Sequence, residues 1–170
     1  MKLLKLSVLL FFTASLAPAQ SIPAVKAKAL DNSEVTIPGG SQQALILVVG
    51  FSHKSGDPSQ VWEKKLSADY HADNRVGYYI LPVLQSAPSF VRPMILRGMR
   101  KDTPEPELSH FVPLYAKEEE WKKLAQFSAP DDPYLIVASP DGHVIWQGHG
   151  NYSDALYAEI KNAVAPLVGK

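Results

Sequence analysis

The residues that could do chemistry converge on one short stretch, Phe51-Ser52-His53-Lys54-Ser55-Gly56-Asp57-Pro58-Ser59, between an apolar run and a helical pattern. It offers a hydroxyl at Ser59, an imidazole at His53 and an amine at Lys54. A serine becomes nucleophilic only with an aligned base and an oxyanion site. His53 has no assigned acid partner, and no G-x-S-x-G elbow exists, so hydrolysis is a poor fit. Thiol chemistry is ruled out, because the chain contains no cysteine. The five histidines, His53, His71, His110, His143 and His149, show no H-x-x-x-H or H-E-x-x-H spacing. They read as scattered surface residues, and no metal site is expected. Neither a G-x-G-x-x-G turn nor a P-loop is present, so no nucleotide or other cofactor is expected.

The elements around that stretch are well marked. Ala44 to Phe51 is continuously apolar and rich in β-branched residues, the pattern of a strand covered on both faces. Asp57 as cap, Pro58 at the first helical position and Gln60 three residues after the cap predict a helix start. Trp62, Leu66 and Tyr70 recur every four residues, a stripe able to face a sheet. Val76 to Leu84 is a second buried strand. Strand, helix, strand implies a parallel pair with a right-handed crossover. Upstream, Val25–Leu30 and Val35–Ile37 flank the turn Asp31-Asn32-Ser33 as two short extended pieces.

Downstream, residues 88–100 are expected to be helical, kinked or begun by Pro93, and Thr103-Pro104-Glu105-Pro106 is a breaker. Phe111 to Tyr115 is extended or irregular. Lys117 to Phe127 is a charged helix with Trp121 and Leu124 inward, and its Glu118-Glu119-Glu120 and Lys122-Lys123 pairs are a solvated face. Tyr134–Ala138 and His143–Gln147 are strands joined through Pro140-Asp141-Gly142, and Ser153 caps a last helix reaching about Val164.

The N-terminus has the form of an export signal. Lys2 and Lys5 precede the apolar Leu6–Leu16, and Ala17-Pro18-Ala19 has the small residues of a cleavage site. Cleavage after Ala19 leaves one domain, residues 20–170, large enough to bury a core without disulfides. The expected location is the periplasm or outside the cell. Charge is balanced, 17 basic against 17 acidic residues, which gives no electrostatic reason to expect nucleic acid or anionic lipid as a partner. No membrane association is expected beyond the cleaved signal.

Taken together, this order of elements resembles the thioredoxin fold in its exported redoxin form: α/β, a mixed central sheet flanked by helices, with an N-terminal β extension. The resemblance covers about residues 22–167. In that family the strand-to-helix turn carries a Cys-x-x-Cys pair, often with proline before the second cysteine. Here those positions read Gly56-Asp57-Pro58-Ser59, with the proline kept and both sulfurs missing. Pro133 matches the family's proline before a strand, usually cis, and Pro140-Asp141-Gly142 matches the hairpin after it. The resemblance implies a groove between the two loops, formed by His53, Lys54, Ser55, Asp132, Pro133 and Tyr134, in which an extended peptide could lie with strand-like backbone contacts. The same turn is also explained fully as an ordinary helix start. Val144 to Gly150 is in addition similar to the I-x-W-x-G end of a mitochondrial ATP-synthase assembly factor family of thioredoxin-like fold. Arg92 to Arg100, with Met94, Ile95 and Met99, is loosely similar to that family's middle segment. The implied role is a redox-inactive, non-enzymatic module that binds a protein or peptide. A cysteine-independent enzyme of the oxidoreductase family and a structural domain of a larger assembly are the alternatives.

Overall fold

The computed structural model describes residues 20–169, so the export signal expected at 1–19 lies outside the described residues. Two short strands come first, β1 (Val25–Lys28) and β2 (Glu34–Ile37), paired antiparallel as a sheet of their own. Their turn is held by Asp31, whose carboxylate accepts the backbone N–H and the hydroxyl of Ser33 while Asn32 takes a positive φ. The main sheet has four strands: β3 (Ala44–Gly50), β4 (Val76–Pro82), β5 (Tyr134–Ala138) and β6 (Val144–His149), in the order β4-β3-β5-β6. β3 runs parallel to β4 and antiparallel to β5, and β5 runs antiparallel to β6.

Every residue of β3 is buried, because the strand has layers on both faces. Leu45, Leu47 and Val49 pack with Ile37, Trp121, Leu124 and Ile136. Ala44, Ile46 and Val48 point the other way and pack with Trp62, Leu66, Ile160 and Val164. The helices supplying these residues are α1 (Gly56–Tyr70), α3 (Glu118–Leu124) and α4 (Asp154–Val168). The expected stripe of α1 is largely realised: Trp62 and Leu66 are fully buried and Tyr70 packs at its edge. α2 (Arg92–Asp102) begins at Pro93's turn and covers one side of the sheet with Leu96 and Met99. None of these helices is long and apolar enough to cross a membrane, among the described residues.

Several boundaries differ from the sequence expectation. α3 is shorter than Lys117–Phe127, and α4 runs four residues beyond Val164. Glu118 belongs to no solvated face. It is buried, receives the Ser86 N–H at 3.1 Å and pairs with Lys122 at 2.7 Å, while its own N–H donates to Gln85 Oε1. The start of α3 thereby fastens the loop after β4. The breaker at 103–106 is followed by a 3₁₀ segment, Glu105–His110, and Phe111 and Leu114 then bridge to Ile80 and Val83 beside β4. The hairpin forms as expected. Gly142 has φ +90°, and a Cβ there would stand 2.9 Å from the Pro38 ring and 3.2 Å from Ile22, so glycine is needed for conformation and for space. Ser153 caps α4, its hydroxyl accepting the Leu156 N–H.

Trp62 is the largest fully buried side chain of α1. Its ring is fully buried and edge-on to Tyr152, and its Nε1–H donates to the Gly150 carbonyl at 3.0 Å, linking α1 to the loop after β6. Trp62→Ala is expected to lower stability by about 3–5 kcal/mol in urea unfolding, against less than about 0.5 kcal/mol for its half-exposed neighbour in Val61→Ala. Equal shifts in the two variants would contradict this packing.

Candidate functional site

The turn between β3 and α1 is built by hydroxyls. Ser52 and Ser55 hold each other reciprocally: the Ser55 N–H donates to Ser52 Oγ at 3.1 Å, and the Ser52 N–H lies 3.4 Å from Ser55 Oγ. The Ser55 hydroxyl also donates to the Ser52 carbonyl at 2.8 Å. This reciprocal pairing resembles a capping box, but it closes the bend before α1: the N-cap position of the helix is Ser55, which makes no side-chain cap bond. Asp57 therefore does not cap. α1 starts at Gly56, Asp57 stands exposed in its first turn, where the helix dipole favours a carboxylate, and Pro58 follows in the same turn, where no N–H is needed. Gly50 allows the close approach, since a Cβ there would meet Ser55 Oγ at 2.7 Å.

The second loop meets the first through Asp131. Its carboxylate accepts from the Ser52 hydroxyl at 3.0 Å and from Lys54 Nζ at 3.2 Å, and these two contacts hold the Asp131 carboxyl below the usual range, Lys54 first. Next to it, Asp132 pairs with His149 at 2.7 Å. Beneath both loops Phe51, Phe127 and Tyr134 form an aromatic cluster with ring centres 5.1–5.8 Å apart. The Tyr134 hydroxyl accepts the N–H groups of Ser128 and Ala129, each at 2.8 Å, which shapes the chain leading to Pro133.

The residues singled out from the sequence divide by depth. His53, Lys54, Gly56 and Asp57 are exposed, and Pro58 and Asp132 are half-buried. Ser55, Ser59, Pro133 and Tyr134 are buried, so a ligand on this surface would not meet their side chains directly. The Asp132–Pro133 bond is trans; the cis peptide among the described residues is Ile37–Pro38. Trans is the ordinary preference of an X–Pro bond, and nothing in this loop opposes it. The Asp132 N–H is bonded to Ala129 O, and the Pro133 carbonyl accepts from Gly150. These backbone groups are thus already used within the chain.

Open space lies on the other flank of the turn. A cavity of about 550 Å³ runs between the start of α1 and α2, floored by Phe51, Pro82 and Leu84 and walled by Met94, Ile95 and Met99. Its size is that of ordinary ligand pockets. Ser52, His53 and Asp57 form its polar end. Met94 is 68% exposed at its rim, and Phe90, just before α2, is 82% exposed. The I-x-W-x-G stretch has a packing role: a Cβ at Gly148 would lie 2.8 Å from the Trp146 ring, so glycine lets the indole lie along the strand.

The histidines are not all scattered. His71 and His110 converge on Glu107, whose carboxylate also accepts from the hydroxyls of Ser67 and Tyr78, each at 2.7 Å. Buried Glu63 adjoins it, and burial followed by the neighbouring Glu107 pushes the Glu63 carboxyl up to about 7. The 38 residues between His71 and His110 hide this grouping from any spacing rule. Its one local trace is Glu107-Leu108-Ser109-His110, a Glu-x-x-His on a segment that repeats every three residues.

Ser52→Ala removes both the Ser55 N–H bond and the Asp131 link, and is expected to cost about 1 kcal/mol in urea unfolding. Asp57→Ala, which breaks no hydrogen bond of the turn, should cost less than about half of that. The reverse ranking would contradict the Ser52–Ser55–Asp131 pairing as what holds the turn.

No family profile and no curated protein matches the chain. Solved structures do. The pneumococcal exposed lipoprotein thioredoxin Etrx1 of Streptococcus pneumoniae superposes with a TM-score of 0.59 at 10% identity, over 82% of this chain and 99% of that one. A thiol-disulfide oxidoreductase from Bacteroides fragilis gives 0.55 at 15% identity, over 84% and 98%. BsSco, a member of the Sco family of cytochrome c oxidase assembly proteins, gives 0.54 at 13% identity, over 86% and 94%. Identities this low speak for shared fold alone. The chain has the thioredoxin-like fold, in a form without cysteine.

Proposed function

We propose that this protein is an exported, non-enzymatic binding module that takes an apolar segment of a partner protein into the trough between the start of α1 and α2. The observation that carries this reading is the trough itself: an apolar floor and a methionine-containing wall, opening beside the turn where thioredoxin relatives keep their cysteines. Two methionines and an isoleucine form a deformable wall that adapts to varied side chains. The mode differs from the strand-like addition expected from the sequence. The backbone around Pro133 is bonded internally, so recognition here rests on inserted side chains.

The chain supplies no thiol, so it cannot run the disulfide exchange named for the Bacteroides relative. The likeness in fold to an oxidase assembly protein, and the I-x-W-x-G similarity, favour work on another protein over turnover of a small substrate. Export fits the extent of the fold. The Gln20 carbonyl already accepts the Val144 N–H, and Ile22 is in the core, so the residues just after the expected cut are already packed into the domain.

A selection from displayed apolar nonapeptides, followed by amide shift mapping, tests the reading. Bound peptide should perturb Phe51–Gln60 and α2, and Met94→Glu, on an exposed rim, should weaken binding at least tenfold. Perturbation confined to another surface, or unchanged affinity in Met94→Glu, would refute it. For export, the protein recovered from an expressing bacterium should have Gln20 as its first residue by mass; an intact Met1 in the recovered protein would refute cleavage.

A further inference from the structure

We propose that His71, Glu107 and His110 form a binding site for a divalent transition-metal ion of the zinc class, apart from the trough. One ring nitrogen of each histidine and one carboxylate oxygen of Glu107 lie within 4.8 Å of one another. The His71 Nδ1 is already 3.1 Å from Glu107 Oε1. Tetrahedral coordination at about 2.0–2.1 Å places ligand atoms about 3.3 Å apart, so the His71–Glu107 pair is already at that spacing and the wider separations must close by up to about 1.5 Å. His71 can supply that closure, since its side chain is half exposed. Two imidazoles and one carboxylate suit zinc and its neighbours better than calcium or magnesium, which take oxygen ligands.

The surroundings are those of a supported site. His110 Nδ1 is 2.9 Å from the Tyr78 carbonyl, which accepts its proton and leaves Nε2 with the free lone pair. The His110 ring is stacked on Tyr78, with centroids 4.0 Å apart and planes within 4°. Glu107 is oriented by the Ser67 and Tyr78 hydroxyls, so both its oxygens are held. On a 3₁₀ turn, Glu107 and His110 are three residues apart and fall on one side. His71 follows the last residue of α1, where the unpaired carbonyls of the helix end favour a cation.

A separate observation also points to a missing positive charge. Glu107 is buried, and among the described residues it is paired with no lysine or arginine, only with the half-exposed His71. Burying an anion without a fixed cation is costly, and an ion on Glu107 offsets that cost. The half-exposed His71 gives solvent access to the site, so water could complete the coordination. Three protein ligands with one open position allow exchange of the ion and access by a further ligand.

The test is calorimetric titration of chelator-treated protein with zinc chloride. We expect one saturable ion per chain, a rise in Tm with zinc, and a visible tetrahedral spectrum when cobalt(II) is used instead. His71→Ala and His110→Ala should each weaken zinc binding at least tenfold, while His143→Ala, on the far hairpin, should leave it unchanged. His71 is exposed enough that its variant keeps the fold, which circular dichroism checks. Absence of saturable zinc binding, an equal loss in His143→Ala, or an octahedral cobalt spectrum insensitive to His71→Ala would overturn the site.

Discussion

The structure depends on β3 being buried on both faces. A strand with no polar position has to be covered above and below, and that requirement fixes the layers: α1 and α4 on one side, α3 and the β1–β2 hairpin on the other. It also fixes where the chain can surface. β3 ends at Gly50 against β4 and β5, so the residues after it emerge between α1 and the loop before β5. Relatives of this fold place their reactive sulfurs there.

Without sulfur, that turn is stabilised by other means. The Ser52–Ser55 pair closes the helix start, and the Asp131 carboxylate bridges Ser52 and Lys54. Phe51, Phe127 and Tyr134 fill the space beneath. These groups are occupied with one another, so the turn offers little unpaired polar chemistry. The adjoining trough is largely apolar.

The two proposed sites lie at opposite ends of α1. Its fifteen residues span about 20 Å. The N-terminal end faces the trough, and the C-terminal end abuts the buried carboxylates and the two histidines. The helix dipole has opposite sense at these ends, which suits Asp57 at one and a cation at the other.

Much of the fold was legible in local pattern. The unbroken apolar run of β3, the four-residue stripe of Trp62 and Leu66, the Asp141-Gly142 turn and the Ser153 cap each reflect a constraint acting within a few residues, so the chain alone determined them, as it determined the absence of thiol chemistry. Side-chain pairing between distant segments was not legible. How the bend before α1 is pinned depended on Gly50 and Asp131 meeting the turn in space, and the burial of Pro133 and Tyr134 depended on Gly150 and Phe51. The grouping of His71 with Glu107 and His110 likewise exists only because the 3₁₀ segment packs beside the end of α1. Sequence periodicity reports the face an element buries, because that is set by its own helical or strand repeat. The groups that meet across elements are decided by packing, which has no local signature.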